Sequence, residues 1–170
     1  MYAILCKNGN LVISNYRLNW NVPLLKDYGQ VKNGEIPWMY EDKLKIIKIT
    51  IFDKIKLYDF DRWFENCENL VEVDGLENID VSECEYMSFV FNGCKNLTTI
   101  LDLTSWNMFN CKDFTNMFGW CECLRLVYLP STLRKVNIDM FDGCNNNLKI
   151  HWKNHFYTYE DLLEYEDFTD

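Results

Sequence analysis

Apolar and polar positions along this chain do not follow a single period; they return as a block. Trp63-Phe64-Glu65-Asn66-Cys67-Glu68-Asn69-Leu70 comes back as Val90-Phe91-Asn92-Gly93-Cys94-Lys95-Asn96-Leu97 and again as Met117-Phe118-Gly119-Trp120-Cys121-Glu122-Cys123-Leu124. A fourth copy is Met140-Phe141-Asp142-Gly143-Cys144-Asn145-Asn146-Asn147-Leu148. The phenylalanines lie 27, 27 and 23 residues apart, and Cys67, Cys94, Cys121 and Cys144 keep the same steps. A period of roughly 20 to 50 residues implies stacked units, each burying its apolar face only against its neighbours.

Within each block the pattern predicts a helical or turn-rich stretch followed by a short strand. Phe60 and Phe64, Met87 and Phe91, and Phe114 and Phe118 are four residues apart, a spacing that would place each pair on one helix face. Gly93, Gly119 and Gly143 fall where a left-handed helix end favours glycine. The strands are read at 70–73, 97–103, 124–129 and 148–152, stacked in parallel with one strand per unit. Lys45-Ile46-Ile47-Lys48-Ile49-Thr50-Ile51 is β-branched and reads as the first strand of the stack.

The ends depart from the block. Tyr2–Cys6 and Leu11–Ser14 flank Asn8-Gly9, a strong hairpin signal, and Asn33-Gly34 marks a second turn. At the other end Thr158 and Asp161 stand in capping-box spacing ahead of a helical run, and Glu164, Glu166, Asp167 and Asp170 make an acidic, frayed tail. The predicted organisation is an N-terminal β-rich cap over 1–45, a solenoid of about four units over 46–152 and a helical cap over 153–170.

The last two blocks resemble a known group. Leu129-Pro130-Ser131-Thr132-Leu133 through Asn147-Leu148 looks like the repeat of BspA-like leucine-rich-repeat proteins. Leu101-Asp102-Leu103-Thr104-Ser105-Trp106-Asn107 followed by Phe114-Thr115-Asn116-Met117-Phe118 is similar to the repeat of mycoplasma-type lipoproteins and many Firmicute surface proteins. The resemblance covers roughly residues 57 to 152. It implies an α/β fold, a short right-handed leucine-rich-repeat solenoid, and a role in protein interaction.

Charge and candidate chemistry refine this. The formal net charge is -9. An acidic surface repels phosphate backbones, so no direct nucleic-acid contact is expected, and a protein partner with a basic surface is. The chain shows no Gly-rich phosphate loop, no His-Glu-x-x-His and no Gly-x-Ser-x-Gly. His151 and His155, the only histidines, read as surface or cap residues, and Cys121-x-Cys123 lacks the spacing of a zinc knuckle. The column cysteines, with Cys84 and Cys111 as a second pair, read as reduced, buried small hydrophobes. No catalytic residue, cofactor or metal is expected, and the chain reads as a non-enzyme.

No basic n-region precedes a long apolar stretch, and no apolar run has membrane-spanning length. The expected location is therefore cytoplasmic, or the cell surface if a leader was removed. The expected function is a protein-binding module, in a sharper form a small acidic phage-encoded inhibitor of a host defence or nucleic-acid-handling protein. The alternative is a short form of a surface adhesin. Contact is expected through outward strand positions Glu72, Asp74, Thr99, Asp102, Leu126 and Tyr128, with Lys149 and His151 beside them, and through Trp120, an aromatic standing at a polar position of the repeat.

Overall fold

The computed structural model describes residues 1–19, 21–32, 34–136 and 138–164. Asn33 of the second predicted turn and Glu166, Asp167 and Asp170 of the acidic tail lie outside them. The chain forms a β-solenoid of about four turns with little helix.

At the N-terminus β1 (Tyr2–Cys6) and β2 (Asn10–Ser14) make the antiparallel hairpin that Asn8-Gly9 predicts, with Gly9 at φ 81°. β3 (Leu24–Gln30) pairs with the other edge of β1. The run Leu11-Val12-Ile13 is apolar throughout because both faces of the hairpin are covered. Leu11 and Ile13 enter the main core, while Val12 joins Ile4 and Cys6 in a second small core with Leu18 packed against it.

The stack then begins. β4 (Lys48–Ile51) lies parallel to β2, three residues later than the predicted strand start, because Lys43–Lys45 forms a 3-10 turn. β5 (Ile55–Lys56) follows, and β6 (Glu72–Asp74) lies parallel to β4. β7 (Ile79–Asp80) pairs with β5. β8 (Leu101–Asp102), β9 (Leu126–Tyr128) and β10 (Lys149–Trp152) form a second parallel stack, closed by antiparallel β11 (His155–Thr158). The chain finishes in one short helix, α1 (Tyr159–Glu164).

The stretches predicted as helical or turn-rich are turns, with a 3-10 turn, Ile138–Phe141, in the fourth unit. Their four-residue spacing is shared by paired turns that alternate right- and left-handed residues. Arg62, Asn66, Phe89, Gly93, Asn116, Trp120 and Gly143 all have φ between 51° and 72°. That alternation turns every second N–H along the stacking direction. Phe60, Arg62, Phe64 and Asn66 donate to the carbonyls of Tyr86, Ser88, Val90 and Asn92. Met87, Phe89, Phe91 and Gly93 donate to Asp113, Thr115, Met117 and Gly119, and Asn116, Phe118 and Trp120 to Asp139, Met140 and Asp142. A helix would have used these donors internally; here they tie one unit to the next. Gly119 is not the left-handed position that the glycine pattern suggested; Trp120 is.

The core runs through the centre of these layers. Phe64, Phe91, Phe118 and Phe141 stack with centroids 5.5, 5.9 and 5.5 Å apart, and Trp38 of the cap adds a ring 6.3 Å above Phe64. Beside them the column cysteines are buried with free thiols. Three of these thiols donate to the preceding unit: Cys94 to the Phe64 carbonyl at 3.2 Å, Cys121 to Phe91 at 3.1 Å and Cys144 to Phe118 at 2.9 Å. Burial pushes the thiols of Cys67 and Cys144 up to about 12, and raises those of Cys94 and Cys121 well above the usual value.

The predicted sheet of one strand per unit is interrupted once. Leu70 and Val73 are three residues apart, as are Leu124 and Val127, but Leu97 and Leu101 are four apart. The extra residue bulges, and the amides of Thr98 and Thr99 both reach the Val71 carbonyl, at 3.1 and 3.3 Å. No strand pairing joins β6 to β8 among the described residues, and the solenoid therefore carries two sheets on this side. The gap is a cleft of ≈ 410 Å³ lined by Val73, Asp74, Gly75, Leu76, Glu77, Thr99, Ile100 and Asp102.

The helical C-terminal cap is also reduced. Residues 155–158 are strand, because Lys153 and Asn154, at φ 46° and 66°, make a two-residue hairpin turn. The capping box is present: Asp161 Oδ2 accepts from the Thr158 amide and hydroxyl, and the Asp161 amide donates back to Thr158 Oγ1.

Candidate functional site: the outward face of the strands

Each strand of the stack buries its middle residue and points its flanks outward, as period two requires. Val73, Leu101, Val127 and Ile150 are buried. The pairing of Leu101 with Val127 and of Asp102 with Tyr128 sets the register. It yields two files of side chains across the sheet. One is Ile100, Leu126 and Lys149; the other is Asp102, Tyr128, His151 and Phe156.

The second file holds a packed aromatic platform. The Tyr128 and His151 rings are 5.1 Å apart, His151 and Phe156 meet edge to face at 4.7 Å, and Tyr128 and Phe156 are 6.4 Å apart. Phe156 is 59% exposed and Ile100 in the neighbouring file is 56% exposed. Phe156 is held on β11, and Ile100 directly precedes β8.

The acidic half of the face differs from the sequence reading. Glu72 and Asp74 face outward, but Lys48 of the adjacent strand pairs with both, 2.9 Å from Glu72 Oε1. Asp102 has no such partner among the described residues. Its Oδ1 accepts from the Thr104 amide at 2.9 Å and the Thr104 hydroxyl at 2.6 Å, and these bonds leave Oδ2 uncommitted. Thr99 is not an outward strand residue; it sits in the bulge, its hydroxyl 3.0 Å from the Val71 carbonyl, at the rim of the cleft.

Trp120 belongs to a different surface, the ridge of turns. It is 54% exposed, in the left-handed region, in the column Asn66, Gly93, Trp120, Gly143. Large and small residues alternate there for a reason: a Cβ on Gly143 would lie 2.6 Å from the Trp120 indole, and one on Gly93 would lie 2.4 Å from Asn66 Oδ1. The exposed platform residue that sequence reasoning missed is Phe156. The signal was available, since His155-Phe156-Tyr157-Thr158 follows Asn154 at hairpin distance from β10, but the helical reading of the C-terminus concealed it.

Among the described residues no group of three or more His, Cys, Asp or Glu is placed to hold a metal ion, and no helix is long and apolar enough to cross a membrane. Residues 35–151, more than half of the chain, match the family described as "Mycoplasma protein of unknown function, DUF285". No curated protein and no solved structure matches the chain.

Proposed function

The chain belongs to the DUF285 family, and from that premise we propose that it is a non-enzymatic protein-binding module acting through the outward face of its strands. The observation that carries this reading is the platform of Tyr128, His151 and Phe156 beside Ile100 and Leu126. Rigid exposed aromatics supply contact area at small entropic cost, which is why anchors of protein interfaces favour them. The buried column Leu70, Leu97, Leu124 and Leu148 supports reading the units as relatives of leucine-rich repeats. The partner is a protein with basic groups. Because Lys48 already offsets one of the two charges of Glu72 and Asp74, apolar contact contributes more of the affinity and charge less. Trp120 is a second, separate contact point.

The test is capture from the source cell with immobilised protein, comparing wild type, Tyr128→Ala/Phe156→Ala and Trp120→Ala. A partner held by wild type and lost with the strand-face pair, at unchanged melting temperature, supports the reading. A partner held equally by wild type and the strand-face pair removes the strand face from the function.

A further inference from the structure

We infer that the partner enters this face with an arginine side chain, whose guanidinium pairs with Asp102 and lies against the Tyr128 ring, while an adjacent apolar side chain covers His151 and Phe156. This rests on the proposed use of the strand face and specifies what the face selects. Three observations converge on it.

Of the outward carboxylates Glu72, Asp74 and Asp102, only Asp102 has no ion pair among the described residues; Glu72 and Asp74 share Lys48. The Thr104 bonds hold one oxygen of Asp102 and leave the other able to accept from a partner.

Asp102 is also in register with Tyr128, at the end of the aromatic file. Neighbouring strands are about 4.8 Å apart, so a cation on Oδ2 falls within the roughly 6 Å over which an aromatic face attracts it. A guanidinium satisfies both contacts at once, since it is planar, forked and weakly hydrated. An ammonium is a compact, strongly hydrated charge that stacks poorly.

The third observation is room. The interrupted sheet opens the cleft on the far side of Asp102, between Ile100 and Asp74, with Glu77 on its wall. A continuous ladder from β6 to β8 would have closed this space. An arginine stem entering over the cleft can bring its head past Asp102 to the Tyr128 ring without meeting a strand. Glu77 stands on the wall of the cleft, and the Lys48 ammonium is held by Glu72 and Asp74 on its opposite side.

The test uses random-sequence peptides displayed on phage, selected against the immobilised full chain, then synthesised with arginine, lysine or norleucine at the enriched position. The expected result is enrichment of arginine next to an aromatic or branched apolar residue. Asp102→Asn should weaken the arginine peptides about tenfold, the loss expected for one hydrogen bond to a charged group, and leave the norleucine peptides unchanged. Tyr128→Ala/Phe156→Ala should weaken all three. Lysine peptides binding as well as arginine peptides, or arginine peptides insensitive to Asp102→Asn, would overturn this inference while leaving the binding face intact. Peptides that bind the Tyr128→Ala/Phe156→Ala protein as well as wild type would overturn the proposed face itself.

Discussion

Trp120 and Gly143 show how one position of the repeat constrains the next. An indole in the left-handed region lies flat over a glycine one unit on, and a methyl group at 143 would meet it at 2.6 Å. Gly143→Ala should therefore destabilise in two parts: about 1–2 kcal/mol for placing an L side chain at positive φ, and a further clash. Trp120→Ala in the same protein should remove the clash and leave the backbone cost. A double-mutant cycle in urea measures the difference, and strict additivity would show that the two residues do not press on each other. The cysteine column gives a second residue-scale prediction. Cys94 and Cys121 are buried and their thiols are held in the neutral form, which does not attack disulfides. They should resist an aromatic disulfide reagent in the native protein and react at once in denaturant. Rapid reaction while folded would contradict the packing of the column. Burial of these positions was legible in the sequence because a 27-residue step repeats. The thiol-to-carbonyl bonds were not, since they depend on how far one unit is offset from the next.

Among the elements, the turns and the edges differ most from what the pattern predicted. Phe60 with Phe64 and Phe114 with Phe118 fit a helix face, and although asparagine tolerates the left-handed region at Asn116, nothing in residue type announces it at Arg62 and Phe89. Their conformation is imposed by the neighbouring layer, whose carbonyls need those donors. The bulge at Thr98 and Thr99 was present in the sequence as one extra residue between Leu97 and Leu101. The 27-residue period hid it, because the following segment is one residue shorter. The edge strands β3 and β11 are blunted against pairing with another chain. β3 is bulged twice against β1, and the Thr158 amide of β11 is taken by Asp161. β3 is fastened to the stack by Asp42, a buried carboxylate that accepts from Lys26 and Tyr28 at 2.9 Å and from Lys45 at 2.8 Å. Burial alone would raise its pKa, but the bonds from Lys45, Lys26 and Tyr28 outweigh it and hold the group at about 2. Its folded value lies below the unfolded one of about 3.9, so the stabilisation is complete above about pH 4 and is lost as pH falls through about 2. Asp42→Asn should cost roughly 1–2 kcal/mol at neutral pH, allowing for screening at the half-exposed lysines, and should flatten the stability curve between pH 4 and 2. An unchanged acid limb in urea melts would show that this carboxylate does not fasten the cap.

For the molecule as a whole, the solenoid distributes its stability along one axis. Phe118 is stacked between Phe91 and Phe141 with no exposed surface. Phe118→Ala should cost about 3–5 kcal/mol and, because units support only their neighbours, should broaden the transition as the two ends melt apart. A loss below about 1 kcal/mol with a sharp transition would contradict the register. The architecture of stacked units was legible from Phe64, Phe91, Phe118 and Phe141. The candidate site was legible only in part: Asp102, Leu126 and Tyr128 follow from the strand pattern, whereas the pairing of Lys48 with Glu72 and Asp74 and the platform position of Phe156 depend on which strands become neighbours. The turn ladder has one more consequence. In every layer the donors point toward the C-terminal end of the stack and the acceptors toward the N-terminal end, so alternate peptide groups lie head to tail through the height of the solenoid. Each such group has a dipole of about 3.5 D, and together they polarise the molecule along an axis that runs across the chain instead of along it. The positive pole is the end where α1 packs, and that helix brings Glu160, Asp161 and Glu164 to it. Glu160, Asp161 and Glu164 are thus an electrostatic complement to the field of the turn ladder.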